Sequence, residues 1–81
     1  MEITPLLIML YLYPGPAEVI EACQALGIDR PVAGCAVPNG HKCDIHVARP
    51  QIGYSSDFEV IGHEFWHCRF PNFHRPRQVL P

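Results

Sequence analysis

The densest chemistry in the 81-residue chain lies in His63-Glu64-Phe65-Trp66-His67. On a helix each residue advances about 100°, so His63 and His67 would project from one face, one turn apart. That spacing suits two nitrogen ligands of a single tetrahedral zinc, bonded at about 2.0–2.1 Å. Glu64 sits beside them, where a carboxylate can reach a metal-bound water and serve as general base rather than ligand. The same wheel sets Phe58, Ile61, Phe65 and Cys68 on the opposite side, which predicts a helix with a buried back and a chemical front. The plainer alternative is a pair of solvated histidines on an amphipathic helix.

A catalytic zinc also needs a third protein ligand and an open fourth position. No Asp or Glu follows His67 and Cys68 belongs to the helix back, so His74 is the candidate, returned toward the metal by a turn at Pro71-Asn72. A donor for a developing oxyanion would complete the site. Tyr54, His46 and Arg75 are candidates, and spacing does not choose among them.

The HEFWH segment resembles the active helix of the zincin metallopeptidases, and His74 makes the ligand set similar to that of the metzincin branch, whose pattern is HExxHxxGxxH. Here the third histidine comes seven residues after His67 rather than six, Phe70 replaces the glycine, and no methionine follows. Gly34-Cys35, Cys43, Ile45, Gly62 to Cys68 and His74 together resemble small zincin-like proteins of bacteria and their phages. The resemblance implies a zinc-dependent metallopeptidase: Zn²⁺ on His63, His67 and His74, Glu64 as general base, and a peptide or protein substrate. It also makes Cys43 to Ala48 similar to the edge strand against which zincins hold an extended peptide by strand addition.

Positioning such a helix requires a scaffold. Ser56-Asp57-Phe58-Glu59 matches a capping box, so a helix is expected over about 57–69, ended by Pro71. Leu6 to Tyr13 is an eight-residue apolar run, too short for a membrane-spanning helix and without the charge pattern of a signal peptide. It reads as a strand buried on both faces, ending at Pro14-Gly15-Pro16. Ala17 to Leu26 spaces Val19, Ile20, Cys23 and Leu26 helically, with Pro16 at its start and Gly27 at its end. Val32 to Val37 and Cys43 to Ala48 read as a hairpin around Pro38-Asn39-Gly40. A three-residue loop there sets Cys35 opposite Cys43.

That register predicts disulfides Cys35–Cys43 and, by remainder, Cys23–Cys68, and with them an oxidising, periplasmic or secreted location. Reduced thiols would instead mean a cytoplasmic protein. The expected fold is one α+β domain over 1–81, a small mainly antiparallel sheet packed against two helices. The formal charge of −2, without runs of like charge, argues against nucleic-acid partners. So short a chain buries a marginal core, which metal or disulfides would reinforce. Size also motivates a competing function: a non-catalytic, zinc-stabilised binding or inhibitor module that contacts a protein partner.

Overall fold

The computed structural model describes residues 5–51, 55–69 and 79–81. Five elements follow one another: β1 (Leu7–Tyr13), α1 (Pro16–Ala25), β2 (Gly34–Asn39), β3 (Lys42–Ala48) and α2 (Ser55–Arg69). The strands form one mixed sheet in the order β1-β3-β2. β3 runs antiparallel to β2 and parallel to β1, so the α+β class holds with one pairing of each kind.

Register sorts the side chains onto two faces, because opposed residues share a face and successive residues alternate. Gly34 opposes Val47, Ala36 opposes Ile45, and Ile8 opposes Cys43; these residues face α2. Their core comprises Ala36, Cys43, Ile45, Val47 and Cys68, flanked by Ile8, Val60 and Ile61. Cys35 opposes His46 and Tyr11 also pairs with His46, on the face that carries α1. Val19, Cys23 and Cys35 form that second core, with Tyr13, Ile28 and Val32 packed against it. Each face thus holds one helix and one small apolar cluster.

The disulfides follow this division and overturn the expected pairing. Cys23 bonds Cys35, tying α1 to β2, and Cys43 bonds Cys68, tying β3 to α2; no thiol is free. The error lay in the turn. Pro38 and Asn39 belong to β2, and the hairpin closes over Gly40 and His41, with Gly40 at φ +65°. The register consequently moves by three residues: Cys35 opposes His46 rather than Cys43, and an odd shift sends the two cysteines to opposite faces. Proline is tolerated in β2 because the Ala36 N–H and C=O point to the outer edge, where they bond Leu80. By alternation Pro38, two residues on, directs its missing donor outward too.

Two further expectations need correction. β1 is an edge strand rather than a strand buried on both faces: Leu7, Met9, Leu10, Tyr11 and Leu12 are all exposed. β3, expected at the edge, is central. The outer edge of β2 is instead where added pairing occurs, and Leu80 already makes an antiparallel bridge there to Ala36. Among the described residues no helix is long and apolar enough to cross a membrane.

Candidate metal centre

α2 begins at Ser55, so Ser56 lies within the helix rather than at its N-cap. Asp57, in the first turn, accepts a hydrogen bond from the Gln51 backbone N–H at 3.0 Å. The helix is rotated relative to the expected back-and-front division. Cys68 is buried and Ile61 partly so, but Phe58 and Phe65 are 58% and 43% exposed, while Glu64 is only 1% exposed. α2 therefore buries the stripe through Glu64 and Cys68 and carries the histidines on one flank and the two phenylalanines on the other. The Cys43–Cys68 bond fixes that rotation by holding the last turn of the helix to the central strand.

Glu64 has room under the helix because Gly34 lacks a side chain. A Cβ at Gly34 would lie 2.8 Å from Val47 Cγ1, 3.1 Å from the His46 carbonyl oxygen and 3.2 Å from Glu64 Oε2. The carboxylate thus lies close against the backbone of β2. Its Oε1 has no hydrogen-bond partner among the described residues. Burial in this unpartnered setting pushes the Glu64 carboxyl up to about 7.

Beside it, the Nε2 atoms of His63 and His67 are 3.1 Å apart, with the rings edge to face at 4.6 Å between centroids. Ligand atoms of His63, Glu64 and His67 all fall within 4.8 Å of one another, a group that could hold a metal ion. Two imidazoles and a carboxylate are a donor set that suits Zn²⁺. A buried carboxylate oxygen without a hydrogen-bond partner among the described residues, next to two converging nitrogens, is also costly unless a proton or a cation joins it. The residues present therefore fit a metal ion.

A third polar atom meets the pair. The main-chain oxygen of Pro81 lies 3.1 Å from His63 Nε2 and 3.2 Å from His67 Nε2. A cavity of about 450 Å³ opens alongside, lined by Val32, Gly34, Val60, His63, Glu64 and Pro81, with Arg30 and Glu59 also contributing.

The remaining candidates separate. His46 lies on the α1 face, across the sheet from α2, so it does not serve as an oxyanion donor at this centre. Its ring stacks on Tyr11 at 4.6 Å, and its Nδ1 shares a hydrogen bond of 2.9 Å with the Tyr13 hydroxyl. Burial holds its pKa below the ordinary value, against the pull of Asp44. His74, Tyr54 and Arg75 lie outside the described residues. Two contributors had not been singled out for this role. Gly34 could have been found as a glycine inside a strand pattern, which often marks a close approach. Pro81 carries no signal in its type or spacing.

Comparison with protein-family models, with curated proteins and with solved structures finds no match.

Proposed function

We propose that the protein is a zinc-dependent peptide hydrolase in which His63 and His67 hold the metal and Glu64 is the general base. The observation that carries this reading is the buried Glu64 carboxylate, unpartnered at Oε1 among the described residues and next to two converging imidazoles. A bound zinc supplies Lewis acidity and brings the ionisation of water toward neutral pH. Glu64, with its carboxyl pushed up to about 7, is matched to taking a proton from water at Oε1 and returning it to a leaving amine. Gly34 keeps the carboxylate against the sheet, and the adjoining cavity gives space for a substrate side chain. His74 is the third ligand implied by the resemblance to zincins. The two disulfides suit an oxidising, extracellular or periplasmic setting.

The test is metal analysis joined to one substitution. One zinc per chain is expected, and Glu64→Gln should keep it while slowing hydrolysis of an unstructured protein by about 10²–10⁴-fold. Undiminished hydrolysis by that variant would remove Glu64 from the reaction. Zinc binding by a wild-type chain that cleaves nothing would favour the structural, partner-binding reading, to which the exposed Phe58 and Trp66 would then belong. Loss of zinc in His74→Ala would support the third ligand; full retention would refute it.

A further inference from the structure

Two independent contacts bring the segment Val79–Pro81 to the metal centre. Leu80 is anchored to β2 by a reciprocal pair of backbone bonds: its N–H donates to the Ala36 carbonyl and the Ala36 N–H donates to its own, both at 2.8 Å. Its side chain is buried. Val79 packs on the α1-side core, so the segment is seated on both sides of its bridge. One residue on, the Pro81 main-chain oxygen meets both histidine Nε2 atoms.

The three atoms form a nearly equilateral triangle with sides of 3.1, 3.1 and 3.2 Å. Ligands bonded to a tetrahedral zinc at about 2.0–2.1 Å are separated by about 3.3 Å. The spacing among the Pro81 oxygen and the two nitrogens is thus close to that of three groups that would hold one ion together. Strand pairing at one residue and a main-chain oxygen aimed at the histidines from the next are together what an extended peptide would present on this edge.

We propose that Val79–Pro81 is a resident, displaceable ligand of the β2 edge, which caps the histidine pair with the Pro81 main-chain oxygen and must leave before an extended peptide can bind. The segment acts as a strand held in cis, and its tether gives it a high effective concentration. If it is docked about nine-tenths of the time, an incoming peptide binds about tenfold more weakly than to the bare edge. The nature of the incoming peptide rests on the hydrolase reading, whereas the docking of the segment on the metal does not.

The experiment uses Glu64→Gln protein, so that no peptide is consumed, loaded with Co²⁺ in place of zinc. With ¹³C at the main-chain C1 carbon of Pro81, the signal should be broadened away by the adjacent paramagnetic ion and should return when a saturating acetylated hexapeptide containing Val-Leu-Pro is added. A Pro81 signal untouched by cobalt would overturn the proposal, as would one that stays broadened at peptide saturation. In parallel, Leu80→Pro removes the N–H that bonds Ala36 and should tighten binding of the fluorescent hexapeptide about tenfold. Equal affinity in both proteins would also overturn it, and should Leu80→Pro not fold, the Pro81 signal of the protein with Leu80 intact still decides. None of these readouts is a rate. An inactive wild-type enzyme would defeat the hydrolase reading and leave this inference standing, and an indifferent Pro81 would do the reverse.

Discussion

The two faces of the sheet are built alike and used differently. Each holds one helix, one disulfide from that helix to a strand, and a buried or half-buried set of titratable groups. On the α1 face, His46 is stacked on Tyr11 and hydrogen-bonded to Tyr13, so its polarity is absorbed by neighbours. On the α2 face, Glu64 is buried with Oε1 unpartnered among the described residues, and two imidazole nitrogens converge beside it. Each face leaves a buried oxygen without a hydrogen bond among the described residues, Asp44 Oδ1 and Glu64 Oε1; Lys42 Nζ stands 3.8 Å from the first, whereas the second belongs with two imidazoles to a group that could hold a metal ion.

The largest expected contrast is in activity. Against the loss of about 10²–10⁴-fold for Glu64→Gln, His46→Gln should leave the specific hydrolysis rate per zinc-loaded molecule unchanged, since its ring is across the sheet. A comparable loss in a folded, zinc-loaded His46→Gln protein would erase the functional division between the faces.

Next comes the disulfide pair. Replacing either bond by alanines should cost about 2–4 kcal/mol in chemical denaturation. The bonds close separations of 12 and 25 residues. Chain entropy alone makes the Cys43–Cys68 bond worth about 0.7 kcal/mol more. Only its loss should also weaken zinc, because Cys68 directly follows His67 and fixes the rotation of α2. Equal loss of zinc affinity in the Cys23→Ala/Cys35→Ala protein would contradict that assignment.

The smallest effect is the pH dependence of the metal-free chain, where the two faces carry opposite signs. Glu64 is raised from 4.5 to about 7 by burial, so the folded state holds a proton that the unfolded state has released. Its contribution is full below about pH 4.5 and is lost as pH rises through 7, at most roughly 3 kcal/mol. His46 is lowered from 6.5, so its contribution is full above that value and is lost as pH falls. Glu64→Gln should therefore flatten the decline toward neutral pH, and His46→Gln the decline toward acid. Urea melts between pH 4.5 and 8 measure both, and an unaltered slope in Glu64→Gln would show that its carboxyl is not perturbed.

Much of this arrangement is local and could be read directly. Helical phase alone puts His63 and His67 one turn apart, Pro16 and Gly27 bracket α1, and the short apolar run before Pro14-Gly15-Pro16 makes β1. These features depend on neighbours along the chain, and backbone sterics act at that range. The cysteine pairing was not legible because it depends on register. A proline placed in the turn by its usual preference sits in the edge strand instead, and a three-residue slip exchanges the faces.

The rotation of α2 was likewise invisible, since the apolar count favours burying Phe58 and Phe65, whereas the Cys43–Cys68 bond and the space above Gly34 bury Glu64. The sequence by itself determined which groups could do chemistry and that two of them share a helix face. Only the tertiary structure decided that the carboxylate beside them is buried, that His46 belongs to the other face, and that Pro81, distant in sequence, meets the histidines. Each of those outcomes depends on pairing between strands that are not adjacent in sequence, or on the packing of a helix over them, and no local preference specifies either.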